Sequence, residues 1–133
     1  MSTLKVNTIQ NTSAAHSSTP EQIEQGRAKA WINFNGSGTI AINDSFNVSS
    51  ITDNGTGDYT ISYTTAMASV NYCGVGGGKG DNDGTDANKT VTSFKRISST
   101  PAAGSSRVVT GFGNNAGTAT NSIVVTWVVF GDQ

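Results

Sequence analysis

The stretch Cys73 to Asn88, CGVGGGKGDNDGTDAN, gathers the residue types that most invite chemistry. Glycines leading into a lysine suggest a phosphate cradle, but that motif places four residues between its first glycine and the Gly-Lys pair and follows the lysine with Ser or Thr. Here Cys73 occupies the first-glycine position and Gly80 follows Lys79, so the pattern fails twice. Gly111-Phe112-Gly113-Asn114-Asn115-Ala116 fits a dinucleotide fingerprint by letter only, because it precedes a strand rather than a helix. Asp81, Asp83 and Asp86 lie close enough in sequence to share a hard cation. Their spacing does not follow the EF-hand loop, and the reading adopted is a solvated loop stiffened by Asx turns, with no metal. His16 sits between Ala15 and Ser17 without a local carboxylate, which argues against general-base work. Cys73 is the only cysteine, so no intrachain disulfide forms. Neither an enzyme nor a cofactor is expected.

Binding is the chemistry that remains. The loop from Gly76 to Asn88 concentrates Lys79, Asp81, Asp83 and Asp86 in a chain that otherwise avoids charge, and its glycines permit unusual backbone shapes. Loops on a rigid scaffold are where recognition usually resides. A second polar loop, Gly113 to Thr120, adds Asn114 and Asn115 as candidates for the same receptor-binding surface.

Composition narrows the partners. Charged residues make up 13% of the 133, the net charge is −1, and there is no basic run. Phosphate neutralisation therefore cannot drive nucleic-acid binding. No apolar run approaches the roughly 20 residues that span a bilayer, and Met1 to Gln10 lacks the apolar core of a signal peptide. A surface of Ser, Thr, Asn and Gly suits an extracellular adhesive protein, whereas the missing signal and disulfides suit cytoplasmic synthesis. A virus particle assembled in a host cytoplasm and released by lysis satisfies both.

The elements that must position these residues divide near Gly26. Residues 1–26 form a thin segment in which Leu4, Val6 and Ile9 offer apolar surface for attachment to a partner. Within it, Thr19-Pro20-Glu21-Gln22 reads as a capping box that opens a helix over Pro20 to Gln25, with Gly26 as the C-terminal glycine. Residues 27–133 have a period of two. Ala30, Ile32 and Phe34 face one way, Asn35-Gly36-Ser37-Gly38 turns the chain, and a second turn is expected at Asn43-Asp44. Asn54-Gly55 signals a hairpin between Phe46-Val48 and Tyr59-Ile61-Tyr63. Further strands are expected near Val70 to Val75, Thr90 to Ile97, Arg107 to Phe112 and Ser122 to Phe130. The fold class is all-β: an antiparallel sandwich or barrel-like domain preceded by an extended segment and one short helix.

The last strand is apolar on both faces, with Val125, Trp127 and Val129 on one and Val124, Val128 and Phe130 on the other. An antiparallel strand usually shows one face to water. Val124, Val128 and Phe130, with Trp31 pointing away from Ile32 and Phe34, are therefore the expected oligomer interface.

TLKVNTIQNTS, Thr3 to Ser13, resembles the opening of many tail-fibre and tail-fibre-like proteins of tailed bacteriophages, particularly marine and cyanobacterial phages. AKAWINFNGSGTIAINDSFNVSSITDNGTGDYTISYTTAM, Ala28 to Met67, is similar to the AKAW-NFNG, SFNVSSITD and GTGDYT pattern of the same proteins. The resemblance covers about half the chain. It implies a virion structural protein assembled as a homotrimer, held to other virion proteins by its N-terminal segment and turned toward a receptor on the host surface, a glycan or an outer-membrane protein. A head fibre, a capsid decoration protein and a carbohydrate-binding module are the alternatives.

Overall fold

The computed structural model describes residues 2–13, 15–79, 91–95, 100–112 and 119–133, with residues 91–95 and 112 described by their backbone. A small hairpin pairs β1 (Ile9–Gln10) with β2 (Ser17–Ser18). Helix α1 (Pro20–Gly26) follows with the expected capping box: Thr19 Oγ1 accepts from the Gln22 amide at 3.2 Å, and Gln22 Oε1 accepts from the Thr19 amide at 2.9 Å. Gly26 does not take the left-handed terminal position. It is the last helical residue, and Arg27 caps the helix in an extended conformation.

Eight strands make the remaining sheet: β3 (Ala30–Asn35), β4 (Ala41–Phe46), β5 (Val48–Gly55), β6 (Asp58–Tyr63), β7 (Cys73–Lys79), β8 (Val91–Lys95), β9 (Ser105–Phe112) and β10 (Val124–Phe130). Every pairing is antiparallel, in the order β4-β3-β10-β7-β8-β9-β6-β5. The sheet folds over so that β3 and β10 face β6 and β9. Phe34 meets Tyr59 edge to face across the fold at 5.1 Å, although their strands are far apart in sheet order. Between the layers lie Ala30, Ile32 and Phe34 of β3, Val125, Trp127 and Val129 of β10, Tyr59, Ile61 and Tyr63 of β6, and Val108 of β9. The chain is thus an all-β, sandwich-like fold, as the period of two predicts.

Three further details differ from the sequence reading. The second turn is not at Asn43-Asp44: β4 runs through both residues, and the register shift between Asn33 and Phe34 leaves Asn43 bulged, since Asn33 pairs with Asp44 and Phe34 with Ile42. The chain turns instead at Asn47, which carries φ 56° and joins the outermost strands, β4 and β5. The β5–β6 hairpin forms, but its tip is Thr56-Gly57, where Gly57 takes φ 63°.

The third difference is the glycine-rich run. Gly74 to Gly78 is not loop but the middle of β7, paired residue by residue with β10 from Val124↔Lys79 to Phe130↔Cys73. The strand therefore starts and ends later than the Val70 to Val75 expected. Gly74 is bare for a packing reason: a Cβ there would lie 2.1 Å from Cζ2 of Trp127. Replacing Gly74 with alanine should destabilise the fold by roughly 1–3 kcal/mol through overpacking, measured by thermal or urea denaturation. Asn47→Ala should cost about 2–4 kcal/mol, because alanine pays the left-handed backbone penalty and loses the side-chain hydrogen bonds. Asn47→Gly, which removes only the bonds, should cost distinctly less in the same measurement.

Candidate functional site

Two surfaces carry the expected site residues. The first is N-terminal. Leu4, Val6 and Ile9 are exposed, Leu4 at 86%, and they border a depression of about 610 Å³ together with Pro20 and Ile23 of α1. No residue of α1 is buried, so the helix adds Ile23 to an open apolar platform rather than to the core. His16, on the β2 side of the small hairpin, is exposed, and its carbonyl accepts from the Asn11 amide.

An ion pair ties this segment to the sandwich. Lys29, just before β3, is only 1% exposed, and its ammonium pairs with the half-exposed Glu24 carboxylate of α1. Arg27 also reaches Glu24, at 2.9 Å. A buried lysine without a counter-ion would be costly, so α1 satisfies a charge that the sheet cannot. The Lys29 hydrogen bond, with help from both cations, lowers the Glu24 pKa.

The second surface is the outer face of the layer formed by β4, β3, β10 and β7. Because the strands are in register, Phe46 lies opposite Trp31, Trp31 opposite Val128, and Val128 opposite Val75. These four side chains form an apolar row across the whole layer, with Phe46, Trp31 and Val75 exposed at 52%, 36% and 55%. Two residues along the strands, the next row is polar: Asp44 opposite Asn33, Asn33 opposite Thr126, and Thr126 opposite Gly77. Asn43, freed by the bulge, donates its amide to Asn33 Oδ1 at 3.1 Å. Thr126 Oγ1 donates to the Gly77 carbonyl at 3.2 Å, which leaves its lone pairs toward solvent. Trp31, Val128 and Val75 on one side and Asn33, Thr126 and Gly77 on the other line a groove of about 570 Å³. None of the described lining residues is charged.

Of the four residues expected at an oligomer interface, Trp31 and Val128 stand side by side in the apolar row. Val124 and Phe130 are half-buried at the two ends of β10 on the same face. Periodicity missed Phe46, Val75, Asn33 and Thr126 because only cross-strand register brings them together. Of the expected receptor-binding set, Lys79 is the member that the described residues include, opposite Val124 at the end of this face. Lys79 is the exposed last residue of β7, and its carbonyl accepts from Ser122 Oγ. Asp81, Asp83, Asp86, Asn114 and Asn115 lie outside the described residues. Among the described residues no three His, Cys, Asp or Glu side chains converge, and no helix is long and apolar enough to cross a membrane.

A third cluster is internal. The Tyr63 and Tyr72 hydroxyls both meet Ser106 Oγ, at 2.5 and 2.9 Å, and Tyr72 also donates to the Ser105 carbonyl. Burial pushes the Tyr63 phenol well above its ordinary pKa, so it stays neutral within this hydroxyl cluster. Comparison with family profiles, curated proteins and solved structures finds no match.

The Glu24–Lys29 link has a pH signature. A carboxylate whose folded pKa is depressed stabilises the folded arrangement fully above its ordinary value of about 4.3 and loses that contribution as pH falls through the folded pKa. Proteolytic nicking between α1 and β3 should therefore be slow at neutral pH and rise below that value. Glu24→Gln should show the acid-like nicking rate already at neutral pH.

Proposed function

We propose that this chain is a structural protein of a bacteriophage virion, a tail fibre or tail-fibre-like subunit whose N-terminal segment attaches to the particle and whose sandwich faces the host receptor. The observation that supports this reading most directly is the separation of apolar surface along the chain. Among the described residues, every buried apolar residue of the core comes from Ala30 onward, while Leu4, Val6, Ile9 and Ile23 stay exposed on the preceding segment. A segment that contributes nothing to its own domain's core yet displays apolar side chains is suited to dock elsewhere. Each square ångström buried on docking contributes about 25 cal/mol.

The resemblance of Thr3 to Ser13 and Ala28 to Met67 to phage tail-fibre proteins points the same way, and it extends to assembly as a homotrimer. The surface chemistry also agrees. Charges on a particle are screened within about 8–10 Å at moderate salt, so hydroxyls and amides keep their recognition value where ionic strength varies.

The expected outcome of removing residues 1–26 follows. The remaining 27–133, in which Lys29 loses its Glu24 partner, should still melt cooperatively, at a lower temperature than the full chain, but be missing from purified particles, whereas the full chain is incorporated. Loss of cooperative melting, or normal incorporation of the truncated chain, contradicts the reading. Antibody labelling of intact particles in the electron microscope separates a tail location from a head fibre or decoration protein.

A further inference from the structure

We propose that the groove on the outer face of the β4-β3-β10-β7 layer binds a neutral saccharide, stacked on Trp31 and hydrogen-bonded by Asn33 and Thr126. The proposal deepens the receptor-binding reading above by naming the ligand class and the place where it sits.

A pyranose ring has an apolar face of C–H bonds and a rim of hydroxyls that both donate and accept. The groove offers the complement in two adjacent rows. Trp31, Val128 and Val75 supply apolar surface, and Trp31 is an aromatic ring part-exposed on an open sheet face. Alongside, Asn33 has its oxygen held by Asn43 at 3.1 Å, which fixes the amide and turns its own Nδ2 donors outward. Thr126, committed as a donor to the Gly77 carbonyl, presents acceptor lone pairs. One held donor and one held acceptor beside an aromatic ring match a vicinal pair of hydroxyls.

Charge selects among polar ligands. The described lining carries no charge, and beyond it stand one carboxylate, Asp44 on β4, and one ammonium, Lys79 on β7, so phosphate, sulfate and sialylated sugars gain no net counter-charge from this face. A neutral sugar needs none. Its volume of about 570 Å³ lies within the usual range for small-ligand sites.

Gly77 provides an independent argument. Unlike Gly74, it meets no close neighbour among the described residues: the nearest atom to a Cβ built there is Thr126 Oγ1, at an ordinary 3.8 Å. Its backbone takes no left-handed conformation either. Glycine in a strand interior weakens the strand and commonly marks close approach of a ligand. A side chain at Gly77 would instead stand in the groove, on the row of Asn33 and Thr126.

The test is saturation-transfer NMR on the full-length protein with methyl glucoside, methyl galactoside, methyl mannoside, N-acetylglucosamine and their β-linked disaccharides at millimolar concentration. At least one should receive magnetisation from the protein. Trp31→Ala should weaken that ligand by roughly tenfold or more, the size of effect typical of a contact hot spot. Gly77→Val should abolish the signal with an unchanged or raised melting temperature, because a β-branched residue suits an open strand position. Gly77→Val keeps the test decisive if Trp31→Ala does not fold. No transfer to any of these sugars overturns the proposal, as does transfer that survives both substitutions. Self-association of the wild type that Gly77→Val and Trp31→Ala both dissolve, without saccharide binding, would make the face a contact between copies and would equally overturn it. These outcomes are separate from location on the particle, so the saccharide site and the virion role fail independently.

Discussion

The sandwich depends on one corner. At Asn47 the chain leaves one layer and enters the other without a loop, so β4 and β5 are two halves of a single bent strand. That bend requires a left-handed residue, which costs most side chains roughly 1–2 kcal/mol, and asparagine tolerates it best after glycine. The Asn47 side chain then closes the corner: Nδ2 donates to the carbonyls of Lys29 and Thr65, and Oδ1 accepts from the Thr65 amide. The start of β3, the end of β6 and the corner itself are held by one amide. Everything on the outer face inherits its position from this point, because Phe46 immediately precedes it and Trp31 is set by pairing with Phe46.

Neutral hydrogen bonds take over the work that ion pairs do elsewhere. Tyr59, fully buried, donates to the Gly36 carbonyl at 2.5 Å while its ring packs on Phe34. The Asn121 side chain accepts from the Gly57 amide at 2.8 Å and holds the β5–β6 tip against the segment before β10. Hydroxyls and amides need no counter-charge and lose less solvation than ions on burial. Among the described residues ion pairs are kept for two joints. Arg107 grips the nearly buried Asp58 with two parallel bonds of 2.8 and 2.9 Å, clamping β9 to the start of β6, and Glu24 neutralises Lys29.

What could be read from the sequence was local. Alternation in Ala30-Trp31-Ile32-Asn33-Phe34 assigns inward and outward faces correctly, and Thr19 with Gln22 announces the helix start. The glycine run misled because alternation is carried by side chains, and Gly76-Gly77-Gly78 have none to alternate. Its strand character comes from the neighbouring strands that pair with it, chiefly β10. Asn43-Asp44 misled in the opposite sense: two good turn formers sit in a strand because the bulge absorbs one of them. The groove was illegible for a different reason. Residues 31, 33, 75, 77, 126 and 128 meet only through the registers of three strands, and register is information about pairs.

The bent strand has a consequence for how the molecule behaves among many copies of itself. Its two halves are the outermost strands of the sheet, so nearly all the unpaired strand backbone that a neighbouring chain might extend belongs to one stretch, Ala41 to Gly55. An open strand edge invites cross-chain addition and fibril growth. This edge is broken by the corner, by the bulge at Asn43 and by register shifts near both ends of β5, and it carries two carboxylates, Asp44 and Asp53. A chain with little charge anywhere thus places two of its acidic groups on the edge where a neighbouring chain would have to add.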